Sequence, residues 1–310
     1  MDFLSSSWDT EMAFSGWLFP PAKRGQKSYR RVEKASQLGP SRIQGRLHAE
    51  PNHTRYLGNQ YAEDHALTVR NRSRLGANGS LLYWYRELYR TQFANFPDPK
   101  QLSILEIGSG VSPLKRFYEN VLTSDVMDLD YLDYVFDCHA IDRFDPIGNE
   151  SLDVITLTNV LHHLKDPVDF LNKAARKLKR GGKIIAAEPY LSTLSTLIFK
   201  YLHHEPVDCD VAEPVLSEVR GPLASANSAL PWLIFIERPS WSDQLRAKFD
   251  FDETSFQPFS SISYMMTGGI SRRLPIPRSI YRALFQLDMI LSRVFPKLLA
   301  SFFIITLTRK

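Results

Sequence analysis

Cysteine is the scarcest residue in this sequence of 310 residues, which contains only Cys138 and Cys209. Two cysteines cannot form a disulfide framework or a four-ligand zinc site. A chain of this length buries about three quarters of its unfolded surface, so it needs neither device in order to fold. We therefore expect a reducing, cytoplasmic location.

Long hydrophobic runs are also missing. The longest strongly apolar stretch without charge, Leu298 to Thr308, has about half of the roughly 20 residues that a membrane-spanning helix needs. A second uncharged run, from Gly221 to Ile236, is interrupted by serine, asparagine and proline. We expect no transmembrane helix, and at most a peripheral contact with a membrane.

Acidic residues are almost absent between residues 22 and 46, where Glu33 faces eight basic residues. The eight are Lys23, Arg24, Lys27, Arg30, Arg31, Lys34, Arg42 and Arg46. Such a cluster could contact nucleic acid or anionic lipid. Since residues 1–60 also lack a hydrophobic period and are punctuated by proline and glycine, we interpret them as a solvated, disordered tail. Nucleic acid is not an expected partner.

Beyond the tail, the periodicity of apolar residues predicts helices and strands in alternation. Apolar residues recur at helical spacing from Leu81 to Phe93, in a segment that Pro97 closes. The predicted strands are Leu102–Glu106, Val121–Asp125, Tyr134–Asp137, Leu152–Thr158, Lys183–Glu188 and Phe302–Thr308. Alternation of this kind is typical of a parallel sheet with helices on both faces.

Five helices are predicted within and after this region. One continues from Pro113 through Leu114–Asn120, and the next begins at the N-cap Asp166 and runs to Gly181 and Gly182. Weaker patterns suggest helices at Thr193–Leu202 and Ser240–Lys248. A last helix carries one apolar stripe, formed by Ile280, Leu284, Leu287, Leu291 and Val294.

These elements predict an α/β chain with a Rossmann-like, mostly parallel sheet. We divide it into a basic tail (1–60), a helical N-terminal extension (61–97), a cofactor-binding domain (98–190 and 276–310) and a substrate-covering insertion (191–275). The insertion is assigned because the alternation stops after Pro189.

The turn after the first strand is the most informative motif. Gly108 and Gly110 allow the backbone to approach a ligand closely. A carboxylate that ends the second strand, such as Asp125, can accept hydrogen bonds from both hydroxyls of a ribose. A dinucleotide site of the G-x-G-x-x-G type would need a third glycine, but Pro113 stands there. A nicotinamide-dependent reductase or epimerase is therefore the less favoured alternative.

Four segments in order resemble class I S-adenosylmethionine-dependent methyltransferases, in particular those of type 11. They are L-E-I-G-S-G at 105–110, F-D-C-H-A at 136–140, S-L-D-V-I with N-V-L-H-H-L and D-P between 151 and 167, and L-K-R-G-G with E-P between 178 and 189. The resemblance covers about a third of the chain. It implies a Rossmann-like methyltransferase fold and S-adenosylmethionine as cofactor.

The resemblance also implies a role for individual residues. Glu106, Gly108, Ser109 and Gly110 would surround the methionine part of the cofactor, and Asp125 would hold the ribose. The remaining implied contacts, to the adenine and the sulfonium end, are Asp137, Cys138, Asn159 and His162.

His162 has two interpretations, since an imidazole with an ordinary pKa of about 6.5 could take a proton from a substrate hydroxyl, or it could simply shape the pocket. No metal is expected. We interpret the ligand-rich run His203, His204, Glu205, Asp208, Cys209 and Asp210 as a polar helix end.

The acceptor is expected to be a small molecule, a saccharide or a lipid-linked compound, methylated on oxygen. Segments 203–206, 226–232 and 268–273 resemble type 11 methyltransferases that accompany bacterial polysaccharide and lipid-linked saccharide genes. A non-catalytic, methyltransferase-like binding module is the other alternative.

Overall fold

The computed structural model describes residues 59–202, 205–270 and 273–310. The tail predicted for residues 1–60 therefore lies outside the described residues except for its last two positions, as do His203 and His204. Within the described residues, eight strands form one mixed sheet. They are β1 (Ile104–Ile107), β2 (Val121–Asp125), β3 (Tyr134–Val135), β4 (Leu152–Thr158), β5 (Leu178–Pro189), β6 (Phe249–Asp250), β7 (Phe256–Phe259) and β8 (Phe302–Arg309).

The strand order is β3-β2-β1-β4-β5-β8-β6, and β7 also pairs with β8. Strands β1 to β5 are parallel, whereas β8 is antiparallel to β5, β6 and β7. The chain moves outward from β1 to β3 and then returns to the other side of β1 with β4. In open α/β sheets, ligands bind beyond the carboxyl ends of the strands where the strand order reverses, which in this sheet is between β1 and β4.

Helices surround this sheet. They are α1 (Gln60–Ala77), α2 (Gly79–Gln92), α3 (Pro167–Ala174), α4 (Thr193–Leu202), α5 (Leu230–Trp232), α6 (Ser263–Met266), α7 (Arg278–Val294) and α8 (Pro296–Leu299). The predicted helical extension is therefore present, but as two helices. Asn78 separates them because its side chain accepts a hydrogen bond from the Leu81 N–H and caps α2. The predicted Rossmann-like α/β fold is confirmed.

The core has one part on each side of the sheet, as expected for strands whose two faces are covered. Leu105, Ile155 and Ile184 lie in one part, with α3 and the residues around Phe249. Ile104, Val154 and Ile185 lie in the other, with α2 and α7. Neighbouring positions on each strand thus point to opposite faces.

Two helix predictions are wrong at one end. The helix expected over Leu114–Asn120 is only a 3-10 turn, Leu114–Arg116. The helix capped by Asp166 ends at Ala174, and β5 already begins at Leu178 and passes through Gly181 and Gly182. Leu178 is buried in either arrangement, so periodicity did not distinguish a helical from an extended conformation there.

The last predicted helix forms as α7, but its predicted apolar stripe faces outward. Ile280, Leu287 and Val294 are between 52% and 60% exposed, while Tyr281 and Phe285 on the other face are buried. In the described part of the chain, no helix is both long and apolar enough to cross a bilayer.

Candidate functional site

The loop after β1 approaches β4 closely at Gly108. Gly108 has a φ of +71°, and a Cβ atom there would lie 2.4 Å from Cγ2 of Val160. Only glycine meets both conditions. The loop after β1 therefore packs directly against the residue that follows β4.

Asp125, at the end of β2, holds this loop. Its Oδ2 accepts a hydrogen bond from the Gly110 N–H at 3.0 Å, and its Oδ1 accepts one from the Met127 N–H at 3.0 Å. Burial raises the pKa of this carboxyl group, although the backbone hydrogen bonds act against that. Since a carboxylate offers about four acceptor positions, these bonds do not use all of them, and Asp125 can still accept from a ligand hydroxyl.

Ser109 joins the two strands. Its hydroxyl donates to the Glu106 carbonyl oxygen and accepts from the Ser124 N–H, and its own N–H donates to the Ser124 carbonyl. The side chain of Ser109 is thus used by the fold.

Glu106 is the least satisfied group near the loop. Ser112 donates to its Oε1, whereas its Oε2 is buried and has no hydrogen-bond partner among the described residues. Burial raises the pKa of Glu106 from its ordinary 4.5 to about 7, against the hydrogen bonds of Ser112 and Ser109. A buried, unpartnered carboxylate oxygen is costly unless a ligand donor completes it.

Asp137 and Cys138 lie at the start of a 3-10 helix, Cys138–Arg143, that follows β3. Asp137 caps this helix by accepting from the His139 N–H at 2.9 Å, and its Oδ1 also lies 2.8 Å from Nδ1 of His139. Cys138 is buried, which agrees with a role for its backbone.

Helix α1 packs against the glycine loop, a contact that the sequence did not predict. Arg72 donates to the carbonyl oxygens of Gly110 and Ser112 at 3.3 and 3.1 Å and stacks on the ring of Tyr131 at 3.6 Å. Thr68 is buried next to Gly110. The signal for α1 was weak because most of its surface is polar.

Asp64 connects α1 to the predicted insertion. Its Oδ2 accepts hydrogen bonds from the N–H groups of Leu223 and Ala224 at 2.9 and 3.2 Å. Because Asp64 is buried and both donors are backbone groups, this contact fixes the segment around residue 223 over α1.

His162 and Glu188 form a buried pair at the end of β4 and β5. The Nδ1 atom of His162 lies 2.7 Å from Oε2 of Glu188, while Oε1 of Glu188 accepts the N–H groups of Val160 and Leu161. Both side chains are almost fully buried, with 2% and 0% exposed. Glu188 therefore fixes the orientation of the His162 ring.

Glu205 approaches the same histidine from the insertion. Its Oε2 lies 3.5 Å from Nε2 of His162, and its Oε1 lies 3.9 Å from Nε2 of His163. The Nδ1 atom of His163 lies 2.8 Å from the Ser225 carbonyl oxygen. Two imidazoles thus turn their Nε2 atoms toward one carboxylate.

The surroundings shift the pKa values of the two histidines in opposite directions. Burial acts to lower the pKa of His162, but the charges and hydrogen bonds of Glu188 and Glu205 outweigh it and raise this pKa to about 10. Burial and the nearby charge of His162 lower the pKa of His163 to about 4. The carboxylates of Glu188 and Glu205 therefore favour the protonated form of His162, whereas a base needs the neutral imidazole.

Asn159 lies beside this group in a left-handed conformation, with a φ of +56°. Its N–H donates to the Ala187 carbonyl oxygen at 2.8 Å. Its Oδ1 is buried without a hydrogen-bond partner in the described part of the chain, so it is a second position for a ligand donor.

Among the described members of the ligand-rich run after α4, Glu205 and Asp208 have different partners. Asp208 accepts from the Asp210 N–H in its own loop, while Glu205 turns to the histidines. The donor atoms of His162, His163 and Glu205 lie within 4.8 Å of one another, which is compact enough for a divalent cation. The ion pairs already provide partners for these side chains, so the expected absence of a metal stays a prediction.

Comparison with known proteins identifies the region of the glycine loop. Residues 105–186 match the family model described as a methyltransferase domain. No curated protein matches the sequence.

Several solved structures are similar. A SAM-dependent methyltransferase from Archaeoglobus fulgidus is 15% identical, with 72% of this chain and 94% of that chain covered and a TM-score of 0.40. An S-adenosylmethionine-dependent methyltransferase from Mesorhizobium loti is also 15% identical, with 71% and 97% covered and a TM-score of 0.40. Phosphoethanolamine N-methyltransferase 2 from Haemonchus contortus, in complex with S-adenosyl-L-methionine, is 11% identical, with 81% and 58% covered and a TM-score of 0.43.

The residues around the glycine loop fit S-adenosylmethionine as a cofactor. The unpartnered Oε2 of Glu106 suits the amino group of its methionine part, and Asp125 has acceptor positions left for its ribose. At Gly108 the missing side chain lets the loop pack directly against Val160 after β4. The segment that runs from the glycine loop into β5, residues 105–186, therefore matches a methyltransferase domain.

Proposed function

We propose that the chain transfers the methyl group of S-adenosylmethionine to a hydroxyl group of a small-molecule, saccharide or lipid-linked acceptor. The observation that carries this proposal is the convergence of the glycine loop, Asp125 and the His162 pair at one edge of the sheet. When bound, the cofactor supplies an activated methyl group and its own leaving group. The chain has to bind, orient and deprotonate the acceptor.

The site residues keep the roles that the resemblance implies, except that the roles of Ser109 and His162 change. Glu106 and Asn159 bind polar groups of the cofactor through their unpartnered oxygens. Asp125 binds the ribose, and Asp137 with the Cys138 backbone borders the adenine. Ser109 contributes through the loop backbone, since its hydroxyl already bonds Glu106 and Ser124.

Glu205 is the group that takes the proton of the acceptor hydroxyl, with His162 as its positioning residue. The Glu205 side chain is 22% exposed, whereas that of His162 is only 2% exposed. A base must reach the proton that it removes, and such removal contributes about 10²–10⁴-fold in rate. The charge of His162, held by Glu188, keeps the Glu205 carboxylate in place.

Of the predicted insertion, residues 191–275, the part before β6 covers the acceptor, since β6 and β7 pair with β8 in the sheet. Its Asn227 N–H donates to the His162 carbonyl oxygen at 2.9 Å, and its Leu216 N–H donates to the Lys165 carbonyl oxygen at 2.8 Å. With the Asp64 contact to α1, these bonds hold the segment over the loops after β4. A cover of this kind would exclude water from the methyl transfer.

Transfer of a labelled methyl group tests the proposal. The full chain is incubated with methyl-labelled S-adenosylmethionine and polar or lipid extracts, and the products are treated with mild alkali. A methyl ether survives alkali, whereas a methyl ester is hydrolysed and a methylated amine is recognised by its basicity. Glu205→Gln should lower this transfer about a hundredfold or more while cofactor affinity holds.

Two outcomes would contradict the proposal. Cofactor binding without any transfer to either extract would favour a non-catalytic binding module. Calorimetric binding of NAD(H) in place of S-adenosylmethionine would favour the reductase alternative.

A further inference from the structure

Helix α7 carries large apolar side chains on two opposite faces. Tyr281, Phe285 and Met289 follow one another at four-residue steps and pack into the core beside α2. The opposite face is formed by side chains that are 37% to 60% exposed, namely Ile280, Leu284, Leu287, Ile290, Leu291 and Val294. A surface helix ordinarily has one apolar stripe, facing the core.

The exposed stripe continues beyond α7. Phe295 and Leu298, in and next to α8, are 52% and 51% exposed. We call these eight exposed residues of α7 and α8 the apolar face. Helix α8 also contacts α4, which exposes Leu197 and Tyr201. Contiguous apolar surface of this extent is unusual on a monomeric protein and marks an interaction site.

The charges around the apolar face are all of one sign. Four basic residues of α7 and α8 are exposed, namely Arg278, Arg282, Arg293 and Lys297. Asp288 is the one acidic residue between residues 273 and 310, and it is buried, where it accepts the N–H groups of Ser261, Ile262 and Ser263. On the neighbouring α2, Glu87 is paired with Arg86 and Arg90.

This combination decides between the possible occupants. A second copy in a two-fold contact would bring the basic rims of both chains together, with no exposed acidic residue of α7 or α8 to pair with them, which is unfavourable. The basic segment of residues 22–46 would meet like charges too. An anionic lipid surface offers both an apolar interior for the stripe and phosphates for the cations.

We propose that α7 and α8 form a peripheral membrane-binding surface for anionic bilayers. The helices lie in the plane of the membrane, with the apolar face in contact with the acyl chains and the arginines and the lysine at the level of the headgroup phosphates. A 17-residue helix spans about 25 Å, so α7 alone presents several turns to the lipid. This inference does not depend on methyl transfer or on the identity of the acceptor.

Vesicle flotation of the full chain tests it without cofactor or substrate. One set of vesicles contains equal parts of phosphatidylglycerol and phosphatidylcholine, and the other contains phosphatidylcholine alone. The double variant Leu287→Gln with Ile290→Gln should reduce partitioning into anionic vesicles about tenfold or more. Val69→Gln is the matched control, because Val69 is 49% exposed on α1, outside the apolar face.

The charged rim has its own variant, Arg282→Gln with Arg293→Gln. It should remove most of the preference for anionic over neutral vesicles, as should high salt. The melting temperature and the affinity for S-adenosylmethionine of both double variants show that they remain folded.

Three results would overturn the inference. The wild-type chain could fail to float with anionic vesicles, or the Leu287 and Ile290 variant could float as the wild type does, which would assign binding to another surface. The wild-type chain could also be a dimer that the same variant dissociates, which would make the apolar face a contact between copies.

Discussion

At the scale of single residues, the buried carboxylate of Glu106 destabilises the folded chain but provides an acceptor for the cofactor. Its Oε2 is buried and unpartnered within the described residues, and burial raises its pKa to about 7. Between about pH 4.5 and about pH 7, Glu106 binds a proton more readily in the folded chain than in the unfolded chain. The free energy of unfolding therefore decreases as the pH rises through this range.

Glu106→Gln should therefore have opposite effects on stability and on binding. We expect it to stabilise the cofactor-free chain by about 1–3 kcal/mol at about pH 8, and to weaken S-adenosylmethionine binding about tenfold or more. Urea unfolding and calorimetry measure the two effects. Glu63→Gln on the exposed side of α1 is the control and should change neither. Loss of both stability and affinity would show that Glu106 is structural.

Asp125 has a second role that the strand pattern alone did not reveal. From its position at a strand end, we would expect its removal to affect only the ribose. In the structure both of its oxygens accept backbone hydrogen bonds from the glycine loop and from Met127. Asp125→Ala should therefore weaken cofactor binding about ten- to a hundredfold and also lower the free energy of unfolding by about 1–3 kcal/mol.

Binding of the Asp125 variant is measured well below its melting temperature, so that unfolding does not mimic a loss of affinity. Unchanged affinity in a folded variant would exclude Asp125 from the ribose site. Unchanged stability would instead exclude its role in holding the loop.

The pairing of His162 with Glu188 should make the free energy of unfolding depend on pH. The pKa of His162 is raised from 6.5 to about 10, so the stabilisation is fully present below about pH 6.5 and is lost as the pH rises through about 10. The slope for one proton is at most about 1.4 kcal/mol per pH unit. His162→Gln should remove it, as urea unfolding between about pH 6 and about pH 9 can measure. His163→Gln is the control, and a wild-type slope that survives His162→Gln would contradict the pairing.

At the scale of elements, the sheet was predictable and the ends of the helices were not. The bounds predicted for β2 and β4 agree with the structure, because short apolar runs between turn residues define them. The helix after Asp166 was extended too far, since Leu178 is buried both in a helix and in β5. The apolar stripe of α7 was visible, but periodicity does not say whether a stripe faces core or surface.

The same distinction applies to the site. The glycine loop and Asp125 could be predicted because both follow parallel strands and so lie at one edge of the sheet. Glu188 was predicted at the end of a strand on that edge, yet its pairing with His162 follows only from the strand order. Glu205 and Arg72 come from elements outside the parallel strands, and only tertiary packing brings them to the site.

The loops after β1 and β4 are coupled through Gly108 and Val160. A Cβ atom at Gly108 would lie 2.4 Å from Val160, and its φ of +71° disfavours any side chain. Gly108→Ala should therefore destabilise the chain by about 2–4 kcal/mol.

Adding Val160→Ala should recover only part of this loss, because it removes the clash and leaves the backbone strain. A double-mutant cycle measured by urea unfolding gives the coupling between the two loops. Strict additivity of the two substitutions would show that the loops do not contact each other in solution.

At the scale of the whole molecule, helix α1 belongs to the cofactor site, because Arg72 bonds the glycine loop and Asp64 bonds the insertion. Within the described residues, α1 contacts the glycine loop through Arg72, and residues 1–60 lack the hydrophobic period of a packed segment. A chain that begins at Asn59 should then keep its melting temperature within about 5 °C and its full affinity for S-adenosylmethionine.

A chain that begins at Asn78 keeps α2 and the sheet but lacks α1, so it should lose most of its affinity for S-adenosylmethionine. Thermal unfolding and calorimetry of the two chains locate the boundary. A large loss of stability in the longer one would mean that residues before Asn59 pack on the domain, and full affinity in the shorter one would remove α1 from the site.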